Sequence, residues 1–256
     1  MSEKIVFTAM SAKIGDGQGL KKDEDGYYDV ILGALNIHNS SGAYYECTDD
    51  VRKLFQNSSI LMRRMEGGFL KAEQGHPKMI PGMKMRDFVS RIARIEEKSV
   101  CGHIKSITLT ETNKRDIGSD VPVIVIRGKV KPMGPYASSL ESDLSSKSSN
   151  TSFSIRSMTR DRIVNGKTIK TLANIITWDS ITEPGLAIAT KSNSITMESH
   201  DICSLDMDDL DAVNDITNDI TRLANVSNES SAEILNDIKD TIVGCKSGNC
   251  LLNHWS

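Results

Sequence analysis

The sequence is poor in aromatic residues and has no apolar run long enough to form a membrane-spanning helix. Phe, Trp and Tyr make up 5% of the 256 residues, and apolar residues as a group make up 38%. The segment Met1–Ile5 lacks the apolar core of a secretory signal. These absences predict a chain that neither spans a membrane nor is exported by that route.

Metal and cofactor motifs are also missing. The five cysteines are odd in number and scattered, which indicates free thiols in a reducing compartment rather than a disulfide framework. They are Cys47, Cys101, Cys203, Cys245 and Cys250. The sequence has no Walker loop, dinucleotide fingerprint or paired-cysteine zinc site. It therefore predicts no bound metal or cofactor.

Charge is divided unevenly along the chain. The net charge is −3 at pH 7, but residues 198–240 contain twelve acids and only two bases. Residues 1–197 contain 28 bases and 22 acids, which leaves a net charge of +6. We therefore predict a basic main domain over residues 1–197 and an acidic tail over residues 198–256. Such a tail covers a cationic surface, docks on a partner or is simply a solvated helical face.

Hydrophobic periodicity predicts an α+β fold with one sizeable core. Most of the chain before residue 195 consists of short apolar or alternating runs separated by turn residues, which is typical of a barrel or sandwich. The predicted strands are Ile5–Met10, Tyr28–Leu32, Ser99–Thr110, Val121–Val130, Ser152–Met158, Thr168–Trp178 and Leu186–Ala189. Thr48 is predicted to cap a helix that reaches about Gln56, and short apolar runs follow at 60–62 and 68–70.

The acidic tail changes to helical spacing. Apolar residues within Leu210–Val226 recur every three or four positions, with acids on the opposite face. A second helix is predicted to begin at Ser230 or Ser231 and to stop at Gly244. The tail is thus expected to be a helical appendage. By contrast, ten serines among residues 138–157 predict a flexible linker that regains strand character at its end.

Three residues have the chemistry of a serine-type hydrolytic site. A serine hydroxyl needs a neutral imidazole to take its proton and a third group to hold the imidazole in the right tautomer. His76, one of five histidines, lies in a rigid Gly-His-Pro turn. Ser154 lies in a predicted strand, and Asp179 ends an apolar strand beside a tryptophan. Spacing alone leaves structural roles open: a turn histidine, a polar strand hydroxyl and a strand-end cap.

Ordered short blocks make the chain resemble the prohead (capsid maturation) proteases of tailed bacteriophages, particularly the T4-like group. The blocks are Leu35-Asn36, Ser41–Tyr45, Phe69–Pro77, Arg91–Glu96, Gly102–Ile104, Phe153–Ser157 and Trp178–Pro184. The resemblance implies a fold similar to the herpesvirus assemblins, a β-barrel wrapped by helices, to which the acidic helical extension is added here. It also implies serine endopeptidase activity.

The resemblance assigns roles to individual residues. His76 matches the catalytic histidine of the family, and Ser154 matches its nucleophile. Asp179 falls where these proteases have an acidic residue before a short segment ending in proline, and so becomes the third member. His103 competes for that third role, because the assemblins use a second histidine.

The predicted oxyanion pocket is built from backbone N–H groups. Candidate donors lie around Arg156 or in the Lys131–Gly134 turn, and each such donor contributes on the order of 3 kcal/mol in comparable enzymes. The alternative for the Arg156 side chain is an ordinary surface charge.

Substrates and location follow from the same resemblance. The implied substrates are the scaffold or core proteins and the major capsid protein, inside the immature prohead in the host cytoplasm, and the assemblin-like enzymes often form homo-oligomers. Relatives prefer glutamate just before the scissile bond, so self-cleavage near Glu198 is expected to release the tail. The equally weighted alternative is a permanent docking helix pair.

Two other functional classes stay open. The chain could be a catalytically inactive prohead core or scaffold protein that keeps a protease fold, since fold alone does not fix chemistry. It could also be an accessory protein that binds nucleic acid through its basic main domain. Nucleic acid is the less favoured partner, because aromatics are only 5% and the bases are dispersed, so neither a stacking platform nor a compact basic patch is visible.

Overall fold

The chain folds as an α+β protein, which confirms the predicted class. The computed structural model describes residues 4–13, 19–39, 41–146, 149, 151–181, 197–206, 209–226 and 229–246. Within these residues, ten strands form a single sheet and six α-helices accompany it. None of these helices combines the length and apolar character that crossing a membrane requires.

The strands and helices have the following bounds. The strands are β1 (Lys4–Lys13), β2 (Tyr28–Leu35), β3 (Ile37–His38), β4 (Tyr44–Glu46), β5 (Lys71–Gln74), β6 (Val100–Arg115), β7 (Pro122–Pro132), β8 (Ser152–Val164), β9 (Lys167–Ile181) and β10 (Met197–Asp206). The helices are α1 (Asp49–Lys53), α2 (Ile60–Glu66), α3 (Met85–Ala93), α4 (Ala137–Ser145), α5 (Leu210–Val226) and α6 (Glu229–Lys246).

The sheet is a curled half-barrel. Its strands follow the order β10-β1-β8-β9-β5-β6-β7-β2, and β4 pairs with both β3 and β9. Most neighbours are antiparallel, whereas β5 and β4 each run parallel to β9. The sheet curls so that β2 approaches β1 and β8. The predicted barrel is therefore only partly formed in the described residues, where β10 and β2 remain at the two ends of the strand order.

The main hydrophobic core lies inside the curl. Phe153 and Ile155 of β8 and Trp178 of β9 are fully buried there. The Trp178 Nε1–H donates to the Leu32 carbonyl oxygen at 2.9 Å, which satisfies the indole within the core. Because side chains alternate along a strand, the residues between these apolar positions face the opposite side of the sheet. Ser154 of β8 is one of them.

A second hydrophobic cluster covers that opposite side. Helices α3, α5 and α6 pack together there and against Met158 of β8 and Ile176 of β9. The buried apolar residues of α5 and α6 in this cluster are Val213, Ile216, Ile220, Ala224, Ile234, Leu235, Ile238 and Ile242. Both predicted tail helices are confirmed, although α6 continues past Gly244. Their apolar stripe packs in this second cluster, and the division into a main domain and a helical tail stays a prediction.

The serine-rich region differs from its prediction. Residues 137–145 form α4 instead of a flexible linker. Leu140 and Leu144 lie one helical turn apart and are both buried, and this apolar face outweighs the serine composition. The strand predicted at the end of the region is confirmed by β8.

The structure between residues 48 and 70 also differs in part from its prediction. Thr48 Oγ1 accepts from the Val51 N–H as the predicted cap, but α1 ends at Lys53. The short apolar run at 60–62 belongs to helix α2, because Ser59 caps a new helix there. The predicted strand at Leu186–Ala189 lies outside the described residues.

Candidate active site

His76 follows β5 at a tight turn. Gly75 has a φ of +73°, a region that glycine adopts without steric cost, and its N–H donates to the Ser180 carbonyl oxygen at 2.7 Å. The turn ties the chain to β9 and directs the next residue toward the same strand. His76 Nδ1 and Asp179 Oδ2 are 2.8 Å apart, and the histidine side chain is 11% exposed. The predicted histidine and aspartate are therefore brought together.

Asp179 is a fully buried carboxylate in β9. Its Oδ2 accepts from the Arg156 Nε–H at 3.0 Å, and its Oδ1 accepts from Arg156 Nη2. Burial raises the pKa of Asp179, but the Arg156 charge and the hydrogen bonds from His76 and Arg156 outweigh this effect and hold the pKa below its ordinary value. Asp179 is therefore an ionised acceptor for the imidazole N–H.

Ser154 lies directly opposite Asp179 in the antiparallel ladder of β8 and β9. Residues in that relation share one face of the sheet, with Cβ atoms about 5 Å apart. Ser154 is 1% exposed, and its Oγ makes no hydrogen bond to any part of the chain that the structure describes. The site thus contains a buried hydroxyl beside a hydrogen-bonded imidazole–carboxylate pair, and the hydroxyl is closed off from solvent.

The side chain of Arg156 links Asp179 to a second buried carboxylate. Arg156 Nη2 donates to Glu73 Oε2 at 2.6 Å, and both residues are fully buried. Glu73 also accepts from Arg91 Nη2 at 2.8 Å and from the Glu96 N–H. Two carboxylates and two guanidinium groups therefore form one charge-balanced network under the imidazole.

The alternative interpretation of the Arg156 side chain as a surface charge is wrong. Its side chain has no exposed surface, because β8 turns it toward the covered face of the sheet. Its backbone lies opposite Ala9 of β1 and Thr177 of β9, so the strand is paired on both sides at this position. The predicted oxyanion role of the backbone in this region stays a prediction.

His103 lies in β6, opposite Lys71 of β5. Its Nδ1 is 3.0 Å from the Tyr27 hydroxyl, which is a different partner from the Asp179 carboxylate that contacts His76. Burial lowers the pKa of His103, and the nearby charges of Lys71 and Lys131 lower it further. The competing candidate for the third role is thus engaged elsewhere.

Glu198 lies in the edge strand β10. In the ladder it is opposite Ser11 of β1, and Ser11 is in turn opposite Ser154 of β8. The three residues form one row across three strands. Adjacent strands are about 4.8 Å apart, so the backbone at Glu198 lies about 10 Å from that of Ser154.

Sequence reasoning missed the supporting network and a nearby thiol. Glu73 lies in the Phe69–Pro77 block, close to the apolar residues Leu70 and Ala72. A charged residue in such a setting was the one sequence signal for a buried carboxylate, and all three residues are fully buried. Cys101 of β6 is fully buried, and burial together with the Asp179 charge raises the pKa of its thiol to about 12. This thiol is therefore neutral and a poor nucleophile at physiological pH.

Comparisons with known proteins agree with the resemblance found in the short blocks. A capsid maturation protease of Pseudomonas phage phiKZ is 36% identical over 204 residues, which cover 78% of this chain and 73% of that protein. No solved structure matches the chain. The sequence profile of the Peptidase S80 family matches residues 6–245, which include the tail helices. The predicted resemblance to a phage prohead protease is confirmed, and the chain belongs to the Peptidase S80 family.

Proposed function

We propose that this chain is a serine endopeptidase that cleaves capsid and scaffold proteins during maturation of a phage prohead in the host cell. The observation that carries the proposal is the hydrogen bond between His76 and Asp179 on the face of the sheet where Ser154 stands opposite Asp179. The name of the phiKZ relative, a capsid maturation protease, supports the choice of substrates.

The proposed mechanism assigns one task to each side chain. The Asp179 carboxylate accepts from Nδ1–H and so makes Nε2 of His76 the basic nitrogen. His76 takes the Ser154 proton as the Oγ attacks a peptide carbonyl carbon, and the C–N bond then breaks as His76 protonates the leaving amine. A water molecule, deprotonated by His76, hydrolyses the resulting ester and restores the serine.

Access to Ser154 has to open before a substrate binds. The side chain is 1% exposed, so a peptide carbonyl reaches the Oγ only after neighbouring segments move. Asp179, Arg156 and Glu73 of the network beneath His76 have no exposed side-chain surface, whereas Arg91 is 16% exposed. We therefore propose that His76 and Asp179 are already paired in the resting protein, and that substrate access to Ser154 is the step that is controlled.

A labelling experiment tests the nucleophile. The full chain is treated with a fluorophosphonate probe and assayed on its own scaffold and capsid proteins. We expect Ser154→Ala to abolish labelling and cleavage. Ser152→Ala and Ser157→Ala are matched controls, because both serines are buried in the same strand. Cleavage or labelling that persists in Ser154→Ala rules the assignment out.

Self-cleavage near Glu198 is part of the proposed function. A cut there separates α5 and α6 from the rest of the chain covalently, but their buried apolar side chains favour continued association through the second cluster. Intact-mass measurement over time is expected to show loss of the covalent link near Glu198 in the wild type and none in Ser154→Ala. Size-exclusion chromatography is expected to show both fragments eluting together. An active protein that keeps its full mass contradicts self-cleavage.

A further inference from the structure

We infer that the Arg156 side chain is a positioning residue for the Asp179–His76 pair, with Glu73 as its second anchor. The inference rests on the proposed serine mechanism and adds to it a residue that does not touch the substrate. Arg156 and Glu73 contact each other and are fully buried, although arginine and glutamate are rarely found so deep in a protein.

The guanidinium fixes the orientation of the Asp179 carboxylate. Arg156 Nε donates to Oδ2 at 3.0 Å while Nη2 donates to Oδ1, a forked contact that sets the plane of the carboxylate. Oδ2 is also the atom that lies 2.8 Å from His76 Nδ1. The position of Arg156 therefore determines where the imidazole is held.

Arg156 is itself held from two other directions. Its Nη1 donates to the carbonyl oxygens of Ile92 at 3.3 Å and Arg94 at 3.0 Å, at the C-terminal end of α3. Its Nη2 donates to Glu73 Oε2 on β5. The guanidinium thus joins β5, β9 and α3, and a lysine ammonium at the same place could not span these acceptors.

This arrangement connects the tail to the active site. The end of α3 that supplies the two carbonyl groups includes Ile92, which is fully buried in the cluster formed with α5 and α6. Any movement of α3 relative to the sheet shifts the carbonyl oxygens that hold the Arg156 guanidinium. The tail helices therefore support the geometry of Asp179 through α3, and the predicted cleavage site at Glu198 precedes both helices, in β10.

The first test is Arg156→Lys in the full chain, which keeps the charge but loses the fork. We expect kcat per fluorophosphonate-titrated site to fall about 10- to 100-fold with KM unchanged, as for a misplaced catalytic group. Arg64→Lys is the matched control, since Arg64 is also buried but donates to the Ile176 carbonyl oxygen at 2.7 Å rather than to Asp179. Equal losses of kcat in the two variants would overturn the inference.

A charge-matched double variant, Arg156→Gln with Glu73→Gln, covers the case in which a single change impairs folding. It removes one positive and one negative charge from the network, and Arg91 keeps Glu96 as a partner with Nε and Oε1 3.3 Å apart. Thermal unfolding and near-UV circular dichroism report whether it folds. We expect a folded protein with a kcat reduced at least as much as in Arg156→Lys.

The pH profile separates positioning from general stability. The titratable groups near Asp179 are His76, Arg156, Cys101 and, beyond the guanidinium, Glu73. Burial raises the pKa of Asp179 and the Arg156 charge is the main opposing effect. Loss of the Arg156 charge raises the pKa of Asp179 by more than loss of the more distant Glu73 charge lowers it. Asp179 in the double variant is then protonated at a higher pH, so we expect the acid limb of the activity profile to shift to higher pH. If the double variant keeps both the wild-type kcat and the wild-type decline of activity at low pH, the inference is overturned.

The two proposals fail in different ways. A Ser154→Ala protein that still cleaves its substrates overturns the proposed serine mechanism, whatever Arg156 does. An inactive Ser154→Ala beside fully active, folded Arg156 variants leaves the serine mechanism intact and removes only the positioning role.

Discussion

Ser154 and Asp179 face each other across the ladder of β8 and β9, and two irregularities in β9 create this pairing. Near the hairpin turn, Val164 pairs with Lys167, and continuing that register would place Ser154 opposite Thr177. Register shifts on either side of the Ser157 and Met158 pairs add one residue of β9 each and bring Asp179 to that place. The proximity of the predicted nucleophile and acid therefore depends on two β-bulges.

Replacement of Asp179 tests its proposed role in holding the imidazole. Asp179→Asn is expected to lower kcat by about 10³- to 10⁴-fold, as loss of the acid does in other Ser-His-Asp enzymes. Steady-state cleavage of a peptide substrate measures the effect. Asp161→Asn is the control, because Asp161 pairs with Lys170 at 2.5 Å further along the same hairpin, and it is expected to remain active. Full activity in Asp179→Asn would contradict the proposed triad.

Thiol chemistry separates a serine from a cysteine mechanism. Burial raises the pKa of both Cys101 and Cys47, but only Cys101 is completely shielded, with a pKa of about 12. We expect iodoacetamide at pH 8 to modify Cys47 slowly and Cys101 only after unfolding, as measured by peptide mass mapping. Protease activity is expected to survive this treatment. Inactivation that parallels modification of Cys101 would instead point to a thiol nucleophile.

Packing of α6 is expected to dominate the stability of the second cluster. Ile238 is fully buried, so Ile238→Ala removes apolar contacts and leaves a cavity that costs about 2–5 kcal/mol. Val243 on the same helix is 41% exposed, and Val243→Ala is expected to cost less than about 1 kcal/mol. Denaturant unfolding measures both. Similar small losses would mean that α6 is only loosely attached.

A partly buried carboxyl group in the interface of α6 with β9 makes stability depend on pH. Burial raises the pKa of Asp237, with a further contribution from Asp240, and Asn174 Nδ2 donates to its Oδ2. The folded state then binds this proton more tightly than the unfolded state, so stability falls as pH rises from the ordinary value of 3.8 through the raised pKa.

The corresponding variant is Asp237→Asn. We expect a higher Tm than wild type at pH 7 and a smaller difference near pH 4, because the substitution removes a charge that burial disfavours. Asp215→Asn, at an exposed position of α5, is the control and is expected to leave Tm unchanged. A Tm for Asp237→Asn that lies below wild type at pH 7 would show that the interface needs the ionised carboxylate.

Sequence patterns predicted the strands β6 to β9 and both tail helices, because each has enough periodic residues to define a face. The short helices are harder to predict, since α2 depends on its Ser59 cap and α4 on two buried leucines rather than on long patterns. The three candidate site residues are singled out by their chemistry, and the resemblance assigns their roles. Their pairing depends on bulges and on Glu73–Arg156 contacts between distant strands, which neither composition nor spacing encodes.

The ladder between β1 and β10 has a consequence for timing. Proteases bind an extended chain whose amide groups are available for pairing, but β1 already occupies one side of β10 around Glu198. If self-cleavage occurs after Glu198 as proposed, the pairing of β1 with β10 has to open before this peptide bond reaches Ser154 of the same chain or of a second copy. Separation of β10 from β1, rather than the chemical step, would then limit the rate of self-cleavage.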